Sequence, residues 1–210
     1  MINLNKFPPF LIYFAKMMKT FFRSPKLLQS WYLYTQSDEI NKFQHILESF
    51  NYLRIAGAND KLNNVFYEFG CHSGRTFSTA INSATYLKMK NVFFYAFDSF
   101  EGLPNTDKSD GFFEKGTFFT TKSDFKKIIK TRTGYKLKDK FIYKGFYEDV
   151  LSDDLQQKLP KVGIVHIDVD LYSSTKKVLN FIKPLLQHGT VILFDDWYCF
   201  INGNEGGEGL

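Results

Sequence analysis

The sequence predicts an α/β fold, a Rossmann-like three-layer sandwich around a mostly parallel sheet, preceded by a helical segment. Three observations predict it. Short, nearly all-apolar runs recur along the second half of the chain and alternate with stretches of helical spacing, as buried parallel strands and their crossover helices require. A turn with a glycine at each end, Gly70-Cys71-His72-Ser73-Gly74, joins the first strong run to the helical stretch after it. Two pairs of aspartates, Asp168 with Asp170 and Asp195 with Asp196, close the last two runs, at the carboxyl ends where open α/β sheets build their sites.

The chain opens on a basic segment. Residues 1–37 hold Lys6, Lys16, Lys19, Arg23 and Lys26 and no acid, so they account for the whole net charge of +5. From Phe10 onward, Phe10, Phe14, Met17, Met18, Phe21 and Phe22 fall on one helical face and Lys16, Lys19, Arg23 and Lys26 on the other. The apolar stretch is broken by Pro8 and Pro9 and is too short to span a bilayer, and it has no small-residue cleavage site. The face suits a lid over a substrate site or a peripheral contact with an anionic membrane, and an apolar stripe most often packs on its own protein. Trp31–Tyr34 and the helical stretch 39–53 continue this cap, giving a helical cap over 1–60 and a catalytic domain over 61–210.

Within 61–210, the run Asn64–Phe69 reads as the first strand, and Arg75 to about Tyr86 as the helix after the glycine turn. Such a turn lets the backbone approach a ligand, and the helix N-terminus offers N–H groups and positive potential. Val92–Phe97 is a second strand that ends on Asp98, the position where nucleoside-binding α/β proteins accept hydrogen bonds from ribose hydroxyls. Phe141–Lys144 is a third, leading into Gly145-Phe146-Tyr147-Glu148, where a loop over a base would fall. Val162–Val169 and Thr190–Phe194 complete the set and flank a helix over 176–187 with Ser173, Ser174 and Thr175 at its N-cap, shortened or kinked by Pro184. Strand, helix and strand form a βαβ unit, so Asp168 and Asp195 are expected side by side.

Carboxylates gathered at buried strand ends cost too much to desolvate unless a cation neutralises them, and oxygen donors favour Mg²⁺ or a similarly hard ion. Alternation places His166, Asp168 and Asp170 on one face and Val165, Ile167 and Val169 on the other. His166 lies deeper and reads as a hydrogen-bonded core histidine.

The turn Glu68-x-Gly70-x-x-x-Gly74 lacks the G-x-G-x-x-G of dinucleotide enzymes and is closer to the E/D-x-G-x-G of S-adenosylmethionine-dependent methyltransferases. Together with Asp98-Ser99-Phe100-Glu101-Gly102-Leu103-Pro104, Asp168-x-Asp170-Leu171-Tyr172-x-Ser174-Thr175 and Asp195-Asp196, it resembles the macrocin O-methyltransferase family from about Glu68 to Trp197. The resemblance implies a class I methyltransferase fold, with S-adenosylmethionine and Mg²⁺ as cofactors and a sugar hydroxyl of a small molecule or glycan as acceptor. By it, Asp168, Asp195 and Asp196 hold the metal and Asp170 is the general base. Glu68, Gly70, Cys71, Ser73, Gly74, Asp98, Ser99, Gly145, Phe146 and Asp168 then line the cofactor pocket. Arg75 and Val169 depart from the small residues usual there.

Other classes fare less well. The basic run Lys122–Lys144 carries no recognised nucleic-acid motif, so no RNA or DNA role is assigned. Cys71 and Cys199 make no metal or disulfide pattern, which suits a reducing cytoplasm. A nicotinamide oxidoreductase and a non-catalytic methyltransferase-like binding domain are the alternatives, and a homo-oligomer stays open. Class I methyltransferase sheets add two further strands, which Tyr198–Leu210, rich in Gly, Asn and Glu, cannot supply; the expectation is a chain cut short at its C-terminus.

Overall fold

The structure is a computed structural model, described for residues 38–60, 62–104 and 115–195. The expected lid or membrane helix over 1–37, Asp196, Cys199 and the glycine-rich tail lie outside the described residues. The chain divides into two compact units, Met1–Lys42 and Phe43–Leu210. Of the first, only residues 38–42 are described, as the start of a helix.

Helix α1 (Asp38–Asp60) is followed by strand β1 (Val65–Phe69), α2 (Arg75–Tyr86), β2 (Phe93–Asp98) and α3 (Lys122–Thr133). Then come β3 (Ile142–Lys144), the short α4 (Tyr147–Val150) and α5 (Asp153–Lys158), β4 (Ile164–Ile167), α6 (Tyr172–Ile182) and β5 (Val191–Phe194). The strands form one sheet in the order β3-β2-β1-β4-β5, and every pairing is parallel. Chain order runs outward from β1 to β3, then jumps back across β1 to β4, so the topological switch point lies between β1 and β4.

The pleat sorts the side chains into two cores. On one face Phe66, Phe94, Ala96 and Ile164 pack with Ile46, Phe50 and Leu53 of α1, Phe77 and Ile81 of α2, and Phe125 and Ile129 of α3. On the other, Tyr67, Phe69, Phe97, Val165 and Ile167 pack with Val178, Phe181 and Ile182 of α6 and with Leu151 and Leu159 beside α5. This is the predicted three-layer sandwich. The aromatic excess is core: Phe69 stacks on Phe97 at 4.5 Å, and Phe97 on Tyr143 at 4.9 Å.

Helix α3 shows local sequence deciding an element. The Thr121 hydroxyl accepts the Asp124 amide at 3.0 Å to cap its start, and Gly134, at φ 72°, ends it in the left-handed conformation. Helix α6 begins four residues before the expected start at Lys176. Asp170 adopts φ 50°, the Leu171 amide donates back to the Val169 carbonyl, and this tight turn launches the helix at Tyr172. Ser174 and Thr175 therefore lie buried in the first turn rather than at a cap, with Thr175 Oγ1 donating to the Leu171 carbonyl. The α-helix stops at Ile182, and Pro184 lies in the 3₁₀ turn Lys183–Leu185.

Candidate active site at the carboxyl edge of the sheet

Parallel register and the two-residue pleat bring five of the chemically active side chains to one face. Glu68 pairs with Ala96 on one side and His166 on the other, and His166 with Leu193. Side chains at Glu68, Asp98, His166, Asp168 and Asp195 therefore share a face along β2, β1, β4 and β5. The ladder continues past the strand ends, with the Asp168 amide donating to Phe69 O at 2.9 Å and the Asp195 amide to Ile167 O at 3.0 Å.

His166, Asp168 and Asp195 each present a ligand atom within 4.8 Å of the others. His166 Nε2 lies 3.8 Å from Asp195 Oδ1, with the two side chains only 3% and 7% exposed. The expected neighbours Asp168 and Asp195 are brought together. The histidine is buried as expected, but its ring reaches the carboxylates; the signal was its even spacing from Asp168 on the same face. Asp170 does not follow the pleat, because the strand has ended and the φ 50° turn places it. A non-glycine residue held in the left-handed region is a strained position, of the kind that clusters at functional sites.

The glycine turn is fixed by its neighbours. Gly70 has φ 82°, and a Cβ there would lie 1.7 Å from the Asp168 carbonyl oxygen, so the turn after β1 rests directly on the backbone of a candidate metal ligand. At Gly74, φ 67°, a Cβ would strike Ile129 and Phe125 of α3 at 2.8 Å. These two glycines serve close approach between elements of the protein itself. Asp98 ties the turn to the next strand: Oδ2 accepts the amides of Cys71 at 2.7 Å and His72 at 2.9 Å, and Oδ1 that of Phe100 at 2.6 Å. Three of its acceptor directions are thus used by backbone, leaving capacity for one more donor.

The other residues assigned to the cofactor pocket sit around this bracket. The Cys71 thiol points into the core toward the carbonyls of Glu68 and Phe97, and burial, then Glu68 and Asp98, push its pKa up. Ser73 is half-buried in the turn. The Ser99 hydroxyl donates to Gly102 O at 2.7 Å and accepts the Glu101 amide at 3.1 Å, so it shapes its own loop. That loop pairs with residues 116–117 through Leu103 N to Thr117 O and Gly116 N to Leu103 O, both 3.0 Å. Gly145, at φ 146°, donates its amide to Asp98 O at 3.0 Å, and Phe146 caps α4.

Tyr147, expected only as part of a loop over a base, donates its hydroxyl to Phe97 O at 3.5 Å, at the strand tips. Burial, then Asp98, Cys71 and Asp168, hold its pKa well above the ordinary phenol value, so it stays a donor. Glu68 is 1% exposed, and burial, followed by Asp168, Asp98 and Asp195, pushes its pKa well above the usual carboxyl range; only the Phe77 amide at the start of α2 opposes this.

An all-parallel sheet with its polar cluster and glycine turn flanking the switch point defines a doubly wound α/β protein with a cofactor-type site at its carboxyl edge. The family model for macrocin O-methyltransferase (TylF) matches residues 48–205, and the chain belongs to that family. Among solved structures, CalS11, a calicheamicin methyltransferase, is similar at TM-score 0.62 and 18% identity, over 93% of this chain and 82% of that one. The O-methyltransferase NovP is similar at TM-score 0.62 and 15% identity, over 74% of this chain and 64% of that one. An apo structure of CalS11, titled a TDP-rhamnose 3'-O-methyltransferase, gives TM-score 0.54 at 17% identity, over 92% and 82%. No curated protein matches the chain. Among the described residues, no helix is long and apolar enough to cross a membrane.

Proposed function

We propose that this chain is an S-adenosylmethionine-dependent, divalent-cation-dependent O-methyltransferase whose acceptor is a sugar hydroxyl. The observation that carries the reading is the placement of Asp168 and Asp195 together on the carboxyl edge, with Asp168 resting against the turn at Gly70. Family membership and the likeness to CalS11, a TDP-rhamnose 3'-O-methyltransferase, support the acceptor class.

The residues fit both cofactors. Two carboxylates and an imidazole within 4.8 Å form a cation donor set, to which the adjacent Asp196 belongs in sequence. The turn 70–74 and Asp98, with one acceptor direction left, fit a nucleoside donor. When bound, the donor supplies a methyl already activated on a sulfonium, and the cation lowers the pKa of the acceptor hydroxyl.

The chain's own residues supply alignment and a proton acceptor. Asp98 fixes the turn through three amides, so the cradle is formed in advance. The Asp170 carboxylate takes the hydroxyl proton as the acceptor oxygen bonds to the methyl carbon and the carbon–sulfur bond breaks, leaving a neutral thioether. The φ 50° turn takes Asp170 off the strand's two-residue alternation, and in this reading the base and the metal ligands are different groups.

The test uses labelled S-adenosylmethionine, Mg²⁺ or Mn²⁺ and a panel of nucleotide-linked and free deoxysugars. Transfer that stops on chelation, and that Asp195→Ala abolishes while cofactor affinity stays within about threefold, is expected. Full activity in chelator would refute the cation role.

A further inference from the structure

The deepest member of the cluster is not a carboxylate. His166 is 3% exposed, its Nε2 faces Asp195, and its Nδ1 is buried with no hydrogen-bond partner. A buried imidazole with an unmet nitrogen pays its desolvation without return, so it is not explained by packing alone. The second orphan is Oε2 of Glu68, the residue paired with His166 across the β1/β4 ladder and on the same face. Neighbouring strands lie about 4.8 Å apart, so this parallel register places the two unmet buried polar atoms on neighbouring side chains.

We infer that His166 is a direct ligand of the divalent cation through Nε2, beside Asp168 and Asp195, with Glu68 as the carboxyl behind its Nδ1. This rests on the reading of the site as cation-dependent. Metal-bound histidines regularly give their second N–H to a carboxylate or carbonyl, which fixes ring and tautomer; the Glu68–His166 register puts a carboxyl on the neighbouring strand for that role, with the two atoms not hydrogen-bonded in this structure. It changes the ion the site prefers. Three oxygen donors suit Mg²⁺, whereas an imidazole in the set favours Mn²⁺ and later divalent ions of the first row. The enzyme therefore selects Mn²⁺ over Mg²⁺ by more than a carboxylate-only site does.

Mn²⁺ binding to the full chain, without acceptor, tests this independently of turnover. Electron paramagnetic resonance titration gives the affinity, and electron spin echo modulation reports nitrogen bonded to the ion. Nitrogen modulation is expected in the unaltered protein, changing in frequency when the protein is made with ¹⁵N-histidine. It is lost in His166→Gln, with affinity falling about 10- to 100-fold and the ratio of Mn²⁺ to Mg²⁺ affinity narrowing. The isotope arm needs no variant and stands even if His166→Gln folds poorly. Tight Mn²⁺ binding without nitrogen modulation overturns the ligand role and leaves the methyl-transfer reading in place. Failure of the unaltered protein to bind either ion overturns both.

Discussion

Replacing Gly70 by alanine separates the two demands placed on that glycine, because Gly134 supplies a control with one of them. Both residues are left-handed, at φ 82° and φ 72°, but a Cβ on Gly134 meets nothing within 4 Å, whereas on Gly70 it would lie 1.7 Å from the Asp168 carbonyl oxygen and 2.8 Å from its carbon. Gly134→Ala should therefore cost only the left-handed penalty, about 1–2 kcal/mol. In Gly70→Ala the turn must move off β4 by well over an ångström to reach ordinary contact. That movement loosens the bonds from Asp168 N to Phe69 O and from Gly70 N to Phe97 O. Two buried backbone groups left short of partners add about 1–3 kcal/mol each, for a total, with the left-handed penalty, of roughly 3–8 kcal/mol. Against a typical stability of about 5–15 kcal/mol this is close to unfolding. Urea denaturation of both variants at neutral pH measures the difference, and any folded Gly70→Ala should also lose Mn²⁺ affinity, because Asp168 moves with its carbonyl. Equal losses in the two variants, within about 0.5 kcal/mol, would refute the claim that the glycine turn rests on the backbone of Asp168.

Two further outcomes follow from the same geometry. Asp98→Asn keeps one acceptor oxygen where three amides converge, so stability should drop by about 2–4 kcal/mol and S-adenosylmethionine affinity with it; calorimetric titration showing unchanged affinity would detach Asp98 from the cradle. Glu68→Gln should stabilise the metal-free protein at neutral pH. Below the ordinary carboxyl pKa of 4.5 both folded and unfolded states are protonated. Above it the unfolded chain ionises while burial holds the proton on the folded one, so wild-type stability falls as pH rises through that window and the glutamine variant's does not. Melting curves from pH 4 to 8 should diverge upward in favour of the variant; parallel curves would mean that Glu68 is not held neutral.

The strands, the glycine turn and the helix after it were legible in the sequence because each is local: apolar runs of four to eight residues, and a helix over Arg75–Tyr86 found where the spacing put it. The pairing of Asp168 with Asp195 was legible through the βαβ unit, which leaves little choice of neighbour. The membership of His166 in the cluster was not, because nothing local says how far a buried ring reaches toward the next strand. The start of α6 was missed for a related reason: Ser173, Ser174 and Thr175 carry cap chemistry, but the turn at Asp170 and the burial of Leu171 decide the boundary. Asp98 shows a third kind of gap. Its position at the tip of β2 was evident, while its three backbone donors come from two loops whose path depends on left-handed His72 and Phe100.

Four carboxyl groups on one face of a sheet repel strongly where water is scarce, and the fold answers each in a different way. Asp98 is met by three amides, and burial pushes the Glu68 pKa well above the usual carboxyl range, with the Phe77 amide opposing it. Asp168 and Asp195 stand together next to an imidazole at the ends of adjacent strands. Keeping two carboxylates in register there is costly for a metal-free protein and favourable once a dication sits between them. Stability should therefore rise on adding Mn²⁺ or Mg²⁺, by about 2.7 kcal/mol at a free concentration one hundred times the dissociation constant. The same addition should leave Asp195→Ala unmoved, which separates a built cation site from a general effect of ionic strength.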